Sequence, residues 1–219
     1  MDVPSSLNVT MTEFWLVSSS ILILVVYHIH LRLQMHSAPL TTSVGLTRHL
    51  RKAWVEVVMK ERHDIMAVQT MRNWVMASSF LASTSILIDL GLLNVIFNVG
   101  HMQAIPHALN LVGSKSEALW LLKMIILIVN FFTGFFNFCL AIRYYNHANF
   151  IINLPIGRED LISPDAVAAV LDRANTHYTL GMRAYYLAVP FTLWLFSPVF
   201  MFLGAAVMTV LLYRLDRTI

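Results

Sequence analysis

"FLASTSILIDLGLLN", residues 80–94, decides the fold class, because it is apolar enough for the interior of a membrane span and yet contains Asp89. A carboxylate inside hydrocarbon costs several kcal/mol unless something pairs it or keeps it wet. The stretch therefore names the compartment and poses a question about what meets Asp89. Working outward, it belongs to an apolar run over 72–97, and three comparable runs cover 12–32, 118–142 and 186–213. Each is long enough to cross a hydrocarbon core of about 30 Å as a helix, which takes about 20 residues. The composition agrees, since 58% of the 219 residues are hydrophobic and only 12% are charged, against roughly 25% charged in an ordinary soluble domain. The expected fold is all-α: an integral membrane bundle of four transmembrane helices with two cytoplasmic amphipathic helices, forming a single membrane domain over 1–219.

The basic residues set an orientation. Arg32, Arg48, Arg51, Lys52, Lys60, Arg62 and Arg72 lie between the first two runs, and Arg143, Arg158, Arg173 and Arg183 between the last two. Lys115, Arg214 and Arg217 fall on the other side, with Lys123 inside a span. The positive-inside rule then places both long loops in the cytoplasm and both termini outside, in a bacterial inner membrane. Trp15, Trp120 and Tyr213 would mark outer ends, and Trp74, Tyr144, Tyr145, Tyr185 and Tyr186 inner ends. The first eleven residues lack Lys and Arg, so a cleavable signal is not expected and the first run stays as an anchor. Cys139 is the single cysteine, which rules out an intramolecular disulfide. Asn8-Val9-Thr10 is an isolated glycosylation triplet that carries little weight. The net charge of +3 reads as lipid-facing asymmetry, with no arginine–aromatic interleaving to suggest nucleic acid.

Both long loops carry helical signals. Leu46, Leu50, Trp54 and Val57 recur at spacings of four, four and three, which predicts a helix lying in the headgroup layer with Arg48, Arg51 and Lys52 on its other faces. Ser163-Pro164-Asp165 is a helix start, followed by the apolar face Val167, Val170, Leu171 and Ala174.

Three longer stretches carry a resemblance: "AVQTMRNWVMASSFLASTSILI" (67–88), "LWLLKMIILIVNFFTGFFNFCLAIRYYNHANFII" (119–152) and "ANTHYTLGMRAYYLAVPFTLWLFSPVF" (174–200). Together they resemble the bacterial and plant membrane proteins grouped as domain of unknown function 599, over roughly residues 50 to 215. The resemblance implies a four-span helical membrane protein and brings no assigned activity. Tyr27-His28-Ile29-His30, at the end of the first span, departs from the family's usual start.

Ser78, Ala82, Ser85 and Asp89 share one face of the second span, and Lys123, Asn130 and Asn137 share one face of the third, with Gly134 beside them. Small and polar stripes let membrane helices approach and hydrogen-bond, so Ser78, Ser85, Asn130 and Asn137 form the expected seam. Asp89 is expected to pair with Lys123 in its outer half; the functional alternative is a proton or ion relay. His28, His30, His63, His147 and His177 all fall near the cytoplasmic face. Of these, His28, His147 and His177 are the candidate ligands for a metal ion or haem, against the plainer reading of histidines at headgroup level. His101 and His107 belong to the outer loop. Pro190 and Pro198 interrupt the last run and predict a kink. Hydrolytic, nucleotide and zinc-protease motifs are missing. The resulting expectation is a non-catalytic accessory or scaffold subunit without a cofactor, whose partners are the bilayer and other integral membrane subunits. The alternatives are a metal- or haem-binding redox protein and a small transporter or channel.

Overall fold

A computed structural model describes residues 3–97, 116–156 and 162–217. His101, His107, Lys115 and Arg158 lie outside the described residues, as do the side chains of the Asn8-Val9-Thr10 triplet. Six helices run in order through the described residues: α1 (Val3–Ser37), α2 (Ser43–Glu61), α3 (Asp64–Phe97), α4 (Glu117–Ile151), α5 (Pro164–Phe196) and α6 (Pro198–Leu215). No strand forms among the described residues. Four helical stretches are long and apolar enough to cross a membrane: Met11–Ser37, Asp64–Phe97, Glu117–Ile151 and Pro198–Leu215. Their outward faces expose Leu22, Val26, Phe80, Leu87, Val129, Phe136, Leu203 and Val207. A surface so apolar is stable against lipid tails and not against water. The chain is a multi-pass membrane protein.

Local chemistry explains where the helices begin and end. Thr42 caps α2 by accepting from the Gly45 amide, and α2 ends at Arg62 in the left-handed region. Gly45 has no substitute, since a Cβ there would lie 2.0 Å from the Pro39 carbonyl oxygen. The Ser163 hydroxyl caps α5 at the Ala166 amide with Pro164 in the first turn, as the Ser-Pro-Asp signal predicts.

The region read as one span over 186–213 is a helical hairpin. Pro198 has no amide proton and Ser197 is extended, so α5 stops at Phe196. The Ser197 hydroxyl then caps the new helix by accepting from Val199. α6 runs back along α5: Gly204 lies against Pro190 and Leu193, and Asp216 bonds Arg183. A straight helix would separate residues 183 and 216 by about 50 Å. Pro198 thus reverses the chain rather than kinking it. The second half of α5 stands beside α4 and α6, so five helices traverse the level where four meet the hydropathy criterion.

This hairpin also corrects the expected placement of both termini on one side. Asp216 accepts from the Tyr27 hydroxyl near the end of α1, and its carbonyl accepts from Ser43 at the start of α2. Glu13, near the start of α1, meets Lys123 near the start of α4. The described chain begins at one end of the bundle and finishes at the other.

α3, α4 and α5 have 34, 35 and 33 residues, each about 50 Å long against a core of about 30 Å. Their length in excess of that hydrocarbon core falls at the end carrying the basic connections. There, with α2, they form a buried cluster that includes Val55, Val58, Met59, Met71, Tyr145, Ile152, Val167 and Leu171. The face of α2 that packs is Arg51, Val55, Val58 and Met59. Of the predicted apolar face, Trp54 packs against this cluster, whereas Leu50 and Val57 remain 57% and 47% exposed. Arg51 can be buried because Asp172 receives its charge at 2.6 Å. On α5, Val167, Leu171 and Ala174 are buried and Val170 packs against them.

Candidate functional site

Apart from Arg51 and its partner Asp172, the polar contacts that join the long helices fall into three layers along the bundle. In the first layer, at the start of α1 and α4, Lys123 and Glu13 form an ion pair at 3.0 Å, with side chains only 2% and 6% exposed. The Lys123 ammonium also donates to the Trp194 carbonyl at 3.2 Å. That carbonyl is an orphan of the hairpin, since the residue four positions on is Pro198. The ammonium thereby meets the negative end of the α5 dipole as well as a carboxylate. Trp194 Nε1 donates to Glu13 at 3.3 Å and the ammonium lies 5.2 Å from its ring. Three helices, α1, α4 and α5, are joined by one lysine.

Lys123 therefore does not pair with Asp89. Gly134 of α4 faces Ser85 of α3, and counting from that contact toward the start of α4 puts Lys123 level with Ile96, about 10 Å beyond Asp89. The lysine meets Glu13 instead, a residue at the edge of the first apolar run. Asp89 is completely buried, and neither carboxyl oxygen has a hydrogen-bond partner among the described residues.

The middle layer is the seam of α3, α4 and α5. Ser78 and Ser85 are buried. Ser78 bonds its own helix at Trp74, whereas Tyr185 of α5 donates to the Leu81 carbonyl at 2.8 Å and accepts from Ser85 at 3.1 Å. Asn130 crosses from α4 to the Ala184 carbonyl of α5 at 2.8 Å. Asn137 donates to Thr133 and accepts from His177 Nδ1 at 3.0 Å. Gly181 lets α5 close on α4, because a Cβ there would meet the Phe138 ring at 2.7 Å.

The third layer ties the end of α6 to α1 and α5. Arg183 Nη2 donates to both oxygens of Asp216 at 3.1 and 2.9 Å. Its other terminal nitrogen lies 3.4 Å from His28 Nε2, while His28 Nδ1 lies 2.7 Å from the Leu24 carbonyl. A carbonyl and a guanidinium on opposite sides require the proton on Nδ1 and the lone pair on Nε2. The three candidate ligand histidines are not gathered. His28 faces Leu24 and Arg183, His177 stacks on Tyr144 at 5.6 Å, and His147 is exposed. No group of three His, Cys, Asp or Glu side chains suited to a metal ion occurs among the described residues.

Glu13, Trp194, Tyr185, Tyr27 and Asp216 were missed as partners. Glu13 alone had left a signal, as the one carboxylate within the first run. No curated protein and no solved structure matches the chain. The family model described as "Protein of unknown function, DUF599" matches residues 15–219, nearly the whole sequence, and the chain belongs to that family.

Proposed function

We propose that the chain is a non-catalytic accessory or scaffold subunit of a larger membrane complex in a bacterial inner membrane. The observation that carries this reading is the use made of the polar groups that cross between helices. Lys123, Asn130, Tyr185 and Arg183 each terminate on a backbone carbonyl or a carboxylate of another helix. These contacts hold helices at fixed offsets, which suits a rigid body that other membrane subunits pack against. The basic connections face the cytoplasm in this reading. The hairpin moves Arg214 and Arg217 to that same end, which sharpens the charge asymmetry behind the orientation. The start of α1 then lies outside and the end of α6 inside.

The test is native mass spectrometry of the protein extracted from its own membrane in polymer-bounded lipid discs at native expression level. A fixed stoichiometry with other membrane proteins is expected; release of the chain alone, with lipid only, overturns the proposal. One observation favours a second reading, a proton or ion relay: the buried Asp89 carboxyl without a hydrogen-bond partner among the described residues. An ion flux in liposomes that disappears with Asp89→Asn would select it.

A further inference from the structure

Where α2 lies across α3, α4 and α5 there is a cavity of about 460 Å³ that none of the three layers uses. Its walls are Trp54, Trp74, Tyr145 and Tyr178, Arg51 forms part of its lining, and Ala77 lies at the rim. Trp54 packs on Trp74, and Trp74 on Tyr145, with centroids 5.9 and 5.4 Å apart. Arg51 is 8% exposed and gives one nitrogen to Asp172, leaving further guanidinium N–H groups for another acceptor. Arg48 bonds the other oxygen of Asp172 at 2.7 Å, so two guanidiniums share one carboxylate and the neighbourhood keeps a positive excess. The cavity is open beside apolar surface: Leu50 of its lining is 57% exposed, and Met76 and Phe80 beyond Ala77 are 65% and 74% exposed.

We propose that this cavity holds one anionic phospholipid of the adjoining leaflet. The phosphate sits at Arg51, the glycerol region lies against the tryptophans and tyrosines, and the acyl chains leave past Ala77 along the exposed face of α3. Three independent features point to this occupant. The Arg51 guanidinium is buried while Arg48 beside it stays exposed, and a buried guanidinium with free donors recognises phosphate. Aromatic rings line the site at the depth where tryptophan and tyrosine favour the lipid interface. Leu50 and Val57 of the predicted apolar face of α2 stay exposed beside Trp54, which suits a helix lying in the headgroup layer and brings the cavity mouth level with lipid. Basic pockets between membrane helices are built for such headgroups. The scaffold reading is not required, since a lipid at this position would wedge α2 against the bundle in any role.

The test uses the full chain in nanodiscs of equal parts phosphatidylglycerol and phosphatidylcholine, ejected for native mass spectrometry. One retained phosphatidylglycerol per chain is expected, in preference to phosphatidylcholine. Arg51→Gln should reduce that preference roughly fivefold, the worth of one basic contact at a charged surface. Should Arg51→Gln fail to fold, Ala77→Trp decides, because Ala77 is exposed and the indole closes the mouth without disturbing buried packing. Its expected result is loss of the retained lipid with helix content unchanged by circular dichroism. Equal retention of both headgroups, or full retention in a folded Ala77→Trp protein, overturns the proposal. Displacement of the lipid by millimolar inorganic phosphate also overturns it, since the cavity would then serve a free anion.

Discussion

Changing Lys123 to methionine keeps an unbranched apolar stem nearly as long and removes the charge and the donors. What remains is Glu13, 6% exposed along its side chain, and the Trp194 carbonyl at the broken end of α5. Removing one member of a buried ion pair costs roughly 3–5 kcal/mol, because the other charge stays buried. An abandoned buried carbonyl adds about 1–3 kcal/mol, and the terms overlap, so about 4 kcal/mol is expected for Lys123→Met. Combining it with Glu13→Gln removes the stranded charge and leaves the carbonyl, so the double variant should lose only about 1–2 kcal/mol. The coupling in the double-mutant cycle is then at least about 2 kcal/mol. Reversible unfolding in mixed detergent micelles measures it, with Asp89→Asn as the control. Asp89 makes no hydrogen bond among the described residues, so its replacement removes only an unpaid desolvation cost and should leave stability unchanged or raised. Additive effects at 13 and 123, or strong coupling between 89 and 123, would refute the assignment of Lys123 to Glu13.

Gly181→Ala drives a methyl into the fully buried Phe138 ring and should cost about 1–3 kcal/mol by overpacking. Gly134→Ala, whose Cβ would meet Ala184 and Ser85 at an ordinary 3.5 Å, should be nearly silent in the same unfolding assay. Arg183→Met strands Asp216 beside Tyr27 and should cost about 3 kcal/mol, with faster hydrogen exchange in the last turns of α6; unchanged exchange there would contradict the tie. Treatment with a chelator should leave helix content and thermal midpoint unchanged, since His28 and His177 already engage Arg183 and Asn137; a drop in either would argue for a structural metal.

Hydropathy made the helices legible because a membrane span is a one-dimensional property: length and apolarity suffice. The Ser-Pro-Asp start of α5 was legible for the same reason, as a cap depends on a few adjacent residues. The hairpin was not, because its whole turn is the Ser-Pro pair of "LFSPVF" (195–200), which a kink would also use, and the apolar run continues through it. One sign was available: a straight helix over 186–213 would be about 42 Å long, well beyond a core of about 30 Å. Periodicity grouped Ser78, Ala82, Ser85 and Asp89 on one stripe, and all four are buried. It could not find the partner of Lys123, because pairing between helices depends on their relative offset, which periodicity within one helix does not contain. For α2, ranking faces by apolarity turned Arg51 outward; its burial depends on Asp172, more than a hundred residues away.

The reversal at Ser197–Pro198 brings the end of α6 to the same side as α2. Single cysteines at His49, Arg214 and Glu117, all exposed positions, in a Cys139→Ser background, can be challenged with a membrane-impermeant maleimide in intact and in opened cells. His49→Cys and Arg214→Cys should react only after opening, whereas Glu117→Cys should react in intact cells. Labelling of Arg214→Cys together with Glu117→Cys, and not with His49→Cys, would mean that the last helix crosses without turning back, and would contradict the five-helix bundle.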